Sequence, residues 1–320
     1  MWFIYMIKAY VNKLIDELPE HIIENLKKQK KINLVLDGGF FNGSYLIGAL
    51  YFLKELEKRK YIKINKLSGC SIGSLSALLY LIDELDMSSE IYNITIKSFK
   101  ETQKLDIINR VLERIIKKQP NDFCKRVSGK LFISYYNIHT KEKIVKSDFH
   151  NNNQLIEYIK RSCFVPFMIN GNLTRKNKYI DGIFPYDFSL DKSNECMKEN
   201  IKTLYLELLG SDKLHYLLSV KNEKSNYHRI LSGILDIHLF FIKESKTQMC
   251  SYLEDLGFID IIKHRIMKII IESIILWVVY VIYLMKKFVN PNLYKNNILF
   301  KILNKIIQDI YAIVIEDYCF

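Results

Sequence analysis

Residues 61–82 read YIKINKLSGCSIGSLSALLYLI, and the fold turns on the five residues from Gly69 to Gly73. Tyr61 to Leu67 is a strand-like run, whereas Leu75 to Ile82 is apolar and helix-like. A strand that enters a sharp turn and leaves as a helix projects one side chain outward, and small residues on either side let the backbone bend without clashes. Ser71 stands at the apex, flanked by Gly69 and Gly73. The pattern is that of a serine nucleophile on an elbow, and its alternative is an ordinary strand-to-helix turn.

Upstream, a second unit has the same order. Ile32 to Leu36 is a short β-prone run that leads into Asp37-Gly38-Gly39, and a helix is expected from about Ser44 to Lys58. Six glycines fall between residues 38 and 73, so this is where backbone must come close to something. The amides of Gly38 and Gly39, between a strand and a helix, are placed to form a nest for an anion. DGGFFNG lacks the spacing of a phosphate loop or a dinucleotide fingerprint, which ranks an oxyanion site ahead of nucleotide binding. Two successive β-loop-α units favour neighbouring parallel strands and an α/β fold.

Downstream, residues 88–118 read as mostly helical, 130–138 as a strand and 143–149 as its hairpin partner. Leu155 to Cys163 reads as a helix stopped ahead of Pro166, since proline disfavours helical geometry in the residue before it. Lys178 to Ile180 runs into Asp181-Gly182, and Thr203 to Leu209 is expected to close the sheet. The division that follows is an N-terminal amphipathic segment (1–30), an α/β domain (31–212) and a helical C-terminal region (213–320).

Composition narrows the class. The chain has 320 residues, 49% of them hydrophobic, which suffices for a full core and argues against disorder. The net charge of +12 comes from lysines spread along the whole chain rather than gathered in an arginine-rich stripe, so an anionic membrane surface is favoured over nucleic acid. Cys70, Cys124, Cys163, Cys196, Cys250 and Cys319 are far apart with no CxxC pair, which speaks against a metal site or a disulfide framework and for a reducing compartment.

Two segments bear on membranes. Ile4, Ile7, Val11, Leu14, Ile15 and Leu18 recur at helical spacing, so the N-terminal helix either covers the core or lies on lipid. Residues 266–285 have the length of a membrane span and are bracketed by Lys263, His264 and Arg265 before and Lys286 and Lys287 after. Lys268 and Glu272 count against spanning, and a buried core helix is the alternative. Residues 299–315 are again amphipathic.

A serine hydroxyl needs a base, and its tetrahedral adduct needs aimed donors. Histidine is the usual base, yet His215, His228, His238 and His264 sit in no turn-rich strand end. Asp181, between a strand-like run and Gly182, is a carboxylate able to point across a sheet edge at Ser71, although Asp-Gly is also a common simple turn.

LDGGFFNGSYLIGAL (36–50), SGCSIGSLSAL (68–78) and KYIDGIFPYDF (178–188) resemble, in order and spacing, the motifs of patatin-like phospholipases. Residues 129–168, with their Ser-Cys-Phe-Val-Pro stretch, resemble the adiponutrin and triglyceride-lipase branch, and the likeness covers roughly 33–209. It implies a three-layer α/β/α fold and a Ser71-Asp181 dyad that works without histidine. It also implies an oxyanion loop at Gly38, Gly39 and Gly43, with Gly69, Gly73 and Gly182 as motif glycines.

Three positions depart from the family pattern. Phe40 stands where a third glycine is common, Asn42 where many members have a basic residue, and Ile183 where a second glycine follows Asp-Gly. If position 40 takes a positive φ, a bulky side chain strains the loop and turns its donor. The expected function is a membrane-associated hydrolase of glycerolipid esters at a bilayer or droplet surface, needing no metal or organic cofactor. A catalytically silent lipid-binding scaffold and a histidine-dependent α/β-hydrolase are the alternatives.

Overall fold

In the computed structural model of the chain, residues 2–190, 201–210, 217, 219–220 and 223–288 are described, together with the single positions 302, 305, 309 and 313. The run at Lys31–Leu36 forms β1, buried from Ile32 onward, as a central parallel strand must be. On one side β1 pairs in parallel with β2 (Lys63–Gly69), which pairs in parallel with β3 (Leu131–Asn137). Antiparallel β4 (Glu142–Lys146) closes that edge as the expected hairpin, and β5 (Tyr179–Asp181) also runs antiparallel to β3. On the other side of β1 lies β6 (Lys202–Leu206), in parallel register with Ile32↔Lys202 and Leu36↔Leu206.

The strand expected to close the sheet therefore sits inside it. The far edge is β7 (Cys250–Tyr252), antiparallel to β6 and only three residues long. So brief an edge, set between two helices, carries no alternation to read.

Alternation along β1 divides two layers. Ile32, Leu34 and Leu36 face a core shared with α1 (Trp2–Asp16), α2 (Glu20–Gln29), α3 (Gly43–Lys58) and α4 (Ile72–Leu81). The helical stretch at 88–118 is two helices, α5 (Ser88–Thr102) and α6 (Ile107–Lys117), parted at Gln103, whose φ of 55° is left-handed. Two further helices follow, α7 (Phe123–Val127) and α8 (Asn152–Ser162), the second capped by the Asn151 side chain. α9 (Tyr227–Lys243) lies across α3 so closely that a Cβ on Gly48 would stand 2.0 Å from the Ile230 carbonyl oxygen. Ile7, Val11, Leu14 and Ile15 of α1 are buried in the same core, so the first helix covers it.

The opposite sheet face carries Val35, Phe132, Tyr136 and Tyr205 and is covered by Tyr186, Phe188 and α10 (Phe258–Phe288), a helix of 31 residues. Helices on both faces of a mostly parallel sheet make an α/β sandwich. Sheet and core thus run on past residue 212 through α9, β7 and α10. The amphipathic stretch at 299–315, apart from isolated positions, lies outside the described residues.

Candidate active site

One edge of β3 brings the site together. β2 pairs with Leu131–Ile133 and β5 with Tyr135–Asn137, so two strands of opposite direction share that edge with their carboxyl ends converging. Gly69 is opposite Ile133 and Asp181 opposite Tyr135, two residues apart along β3, or about 7 Å at strand rise. Ser71 follows at the turn into α4 and stands within hydrogen-bonding reach of Asp181.

The turn is a strained one. Ser71 has φ 49° and ψ −129°, a conformation that costs on the order of 1–3 kcal/mol and persists only where neighbours enforce it. Its amide donates to Ser162 Oγ (3.0 Å), whose hydroxyl donates to the Ser134 carbonyl (2.7 Å). Cys163 Sγ lies 3.2 Å from the Ser71 carbonyl. Gly73 is required by close approach, since a Cβ there would meet the Leu36 carbonyl oxygen at 2.4 Å; at Gly69 it would meet the backbone of Gly73 at 2.6 Å.

Asp181 is 9% exposed. Burial raises its carboxyl from the ordinary 3.8 to about 7, against the opposing pull of the Ser71 hydroxyl and the Ile183 amide. Oδ1 accepts from Ile183 N–H (2.8 Å), whereas Oδ2 is buried with no aligned donor. A desolvated carboxylate with one free oxygen, facing a hydroxyl, has the character of a base. Gly182 lets this segment lie on β3, because a Cβ would stand 2.2 Å from the Ser134 carbonyl oxygen.

The loop after β1 lies beside the elbow: a Cβ on Gly38 would be 3.3 Å from that of Ser71. Its first amide is engaged, since Gly38 N–H donates to Asp37 Oδ1 (3.0 Å) while Asp37 Oδ2 accepts from Leu208 N–H (3.2 Å). Burial raises the Asp37 carboxyl to about 6, with the Lys268 ammonium opposing. The amides of Gly39 and Phe40 make no hydrogen bond among the described residues, and the same holds for Ile72, first in α4. The available donors are therefore shifted one residue along from the expected Gly38-Gly39 pair. Gly43 is a contact point rather than a donor, because its amide is bonded to Phe40 and Phe41 carbonyls and a Cβ would meet Ile72 at 2.2 Å.

Two of the three departures fall on positive φ. Phe40 has φ 45° and Ile183 φ 56°, the backbone a glycine would take. Phe40 holds this conformation with its side chain packed against the cluster of Phe41, Tyr92 and Phe99. The cation missing at Asn42 arrives from α9: Arg229, fully buried, donates to Asn42 Oδ1 (2.6 Å), the Ser219 carbonyl (2.8 Å) and Glu223 Oε1 (2.6 Å).

From Ser71 an apolar cavity of about 80 Å³ runs between α3, α4 and α5. Ile47, Leu75, Leu79, Ile91, Leu105 and Ile169 form much of its wall. The histidines are occupied elsewhere: His228 faces Glu223, His238 packs on Phe52 and His264 on Tyr205, while His215 lies outside the described residues. Ser162, Arg229 and Asp37 carry no local signature of these roles; for Ser162 the hint is its place in the Ser-Cys-Phe-Val-Pro stretch.

A mostly parallel α/β sandwich with a serine on a strand-to-helix elbow, a buried carboxylate and an apolar cavity is an arrangement suited to lipid acyl transfer. Residues 34–185 match the family model for patatin-like phospholipases, and this part of the chain is similar to that family. It is similar to the human omega-hydroxyceramide transacylase (27% identical over 164 residues, 48% of this chain and 30% of that protein). The mouse counterpart is 25% identical over 161 residues, 48% of this chain and 27% of that protein. The mouse 1-acylglycerol-3-phosphate O-acyltransferase Pnpla3 is 24% identical over 166 residues, again 48% of this chain, and 40% of its own length. The chain thus spans less than half the length of these relatives.

Proposed function

We propose that the chain is a membrane-associated lipid acyl hydrolase in which Ser71 and Asp181 form a catalytic dyad. The observation that carries this reading is the apolar cavity opening at Ser71, since its almost wholly apolar lining suits the start of a hydrocarbon chain and offers little to a polar substrate. With the acyl chain in that cavity, the ester carbonyl lies at the elbow. Asp181 takes the proton of the Ser71 hydroxyl as Oγ bonds to the carbonyl carbon. The resulting oxyanion is held by the amides of Gly39 and Phe40, with Ile72 as the donor on the elbow side. Collapse breaks the ester bond, and the alcohol leaves with the proton from Asp181. Water, deprotonated by Asp181, then attacks the acyl-enzyme, and the bond to Ser71 Oγ breaks as Oγ takes that proton back from Asp181 and a fatty acid is released.

The relatives' names describe a transacylase and an acyltransferase, which favours a second reading in which a lipid hydroxyl replaces water in the last step. Purified wild-type chain is expected to hydrolyse glycerolipid esters and to be labelled by a fluorophosphonate at Ser71. Ser71→Ala and Asp181→Asn should each reduce turnover by at least about 10³-fold while leaving the circular-dichroism spectrum unchanged. Undiminished turnover in either variant refutes the dyad, and lipid binding without labelling supports a silent scaffold. Adding an acceptor alcohol separates hydrolysis from transfer by product.

A further inference from the structure

α10 has two faces of opposite character. His264, Lys268, Glu272, Leu276, Val279 and Tyr283 recur at three- and four-residue spacing and face the sheet. Lys268 sits 3.9 Å from the centroid of the Tyr205 ring, Glu272 pairs with Lys143 (3.2 Å), and Val279 is buried against Tyr136 and Ile180. At its far end the Tyr283 hydroxyl meets His139 Nε2 (3.0 Å). The opposite stripe, Ile259, Ile262, Ile266, Ile270, Ile274 and Trp277, is exposed, with Ile259 at 79% and Trp277 at 66%. It runs for about 27 Å of helix.

We infer that α10 stays docked on the sheet and lays this outward stripe lengthwise in the interface of an anionic lipid surface, rather than crossing the bilayer. Crossing would strip Lys268 and Glu272 from their partners and carry both into hydrocarbon, while uncovering Tyr205 and Tyr136. Lying flat breaks no contact and buries only the apolar stripe. Charge commits the occupant to an anionic lipid surface: Lys263 is exposed near the start of the stripe and Lys141, also exposed, stands 4.2 Å from the Tyr280 ring near its end, in a chain of net charge +12. This inference rests on the proposed action at lipid surfaces for its purpose and on α10 alone for its geometry.

With two tryptophans in the chain, Trp2→Phe leaves Trp277 as a single reporter. The full chain is mixed with vesicles of equal parts phosphatidylcholine and phosphatidylglycerol, brominated at a shallow or a deep acyl carbon. The Trp277 emission is expected to shift to the blue, with stronger quenching by shallow bromine. Single tryptophans introduced as Ile259→Trp or Ile270→Trp, with Trp2 and Trp277 replaced by Phe, should report the same shallow depth. A graded profile with position 270 deepest means spanning and overturns the inference.

An emission already blue-shifted without vesicles also overturns it. That result, with a dimer in sedimentation, assigns the stripe to a second copy; if it requires residues 289–320, it assigns the stripe to that segment. Ile270→Glu with Ile274→Glu should lower vesicle partitioning by about tenfold or more. Turnover of a short water-soluble ester should not change in that variant. Loss of all ester turnover in the wild-type chain would instead count against the hydrolase reading and leave the lipid stripe standing.

Discussion

Ser71, Phe40 and Ile183 all hold positive φ around one point, and at each a side chain is kept where glycine would be easier. At Ser71 the reason is the hydroxyl. At Phe40 it is packing, since the ring joins Phe41 and Tyr92 at the cavity wall. Phe40→Gly keeps the backbone conformation and enlarges the cavity beside the loop. Turnover of a short-chain ester should survive in this variant, while the ratio of kcat/KM for a bulky over a short acyl chain rises by about tenfold or more; an unchanged ratio would remove Phe40 from the acyl wall. Asp181 gives a second test. Its carboxyl is raised from 3.8 to about 7 in the folded chain, so the stabilisation from the bound proton is full below pH 3.8 and lost as pH climbs through 7. Asp181→Asn should therefore match wild type in stability at the acid end and exceed it at pH 8 by up to about 4 kcal/mol, read from denaturant midpoints. In the same window the kcat/KM of the wild type should rise with an apparent pKa of about 7. Ser71 was legible in the sequence because glycines on both sides of one serine between a strand and a helix are a local pattern. Ser162 was not, because its bond to the Ser71 amide spans 91 residues and leaves no periodicity behind.

At the scale of elements, α9 and α10 each reach into the site from the far end of the chain. α9 supplies Arg229, which holds the loop after β1 through Asn42 and neutralises Glu223, itself bonded to the Tyr92 hydroxyl at the cavity wall. Arg229→Leu leaves the half-buried Glu223 with His228 as the basic group beside it, and loss of one partner of a buried pair typically costs about 3–5 kcal/mol, an upper bound here. The expected result is a fall in unfolding free energy of up to that order, partly recovered in the double variant Arg229→Leu with Glu223→Gln. A single variant as stable as wild type would show the pair to be idle. The sequence displays Asn42 as a missing cation, and only the fold reveals that the cation comes from 187 residues away. α10 has the length and apolarity of a span while carrying two charged residues on its sheet-facing side. An average over residues 266–285 mixes a stripe bearing Lys268 and Glu272 with a stripe of isoleucines, so length and apolarity look like a span. The spacing of the two charges, four residues apart, is the signal that they share one face.

For the whole molecule, the question is whether α10 is an appendage or a layer. An anchor can be cut away with the domain left intact, as happens when a chain is divided at a linker. α10 instead covers the sheet face at Tyr136 and Tyr205, beside the Tyr186 and Phe188 that cover Val35 and Phe132, and its Lys268 is the cation nearest in effect to Asp37 at the root of the loop after β1. Removing it exposes an apolar sheet face and leaves the Asp37 carboxyl without the charge that opposes its burial. A chain ended before Phe258 should therefore bind a hydrophobic dye, aggregate, and lose turnover even of a water-soluble ester. The chain with Ile270→Glu and Ile274→Glu should stay folded and keep that turnover. A soluble, dye-silent truncation with full activity on the soluble ester would make α10 a detachable anchor and would place the boundary of the catalytic domain ahead of it. The same comparison bears on β7, since the edge strand at Cys250–Tyr252 remains in the truncated chain. If dye binding appears although β7 is retained, the exposed surface is the face α10 covers and not an opened sheet edge, and the third layer of the sandwich is the helix that hydropathy alone would have assigned to a membrane.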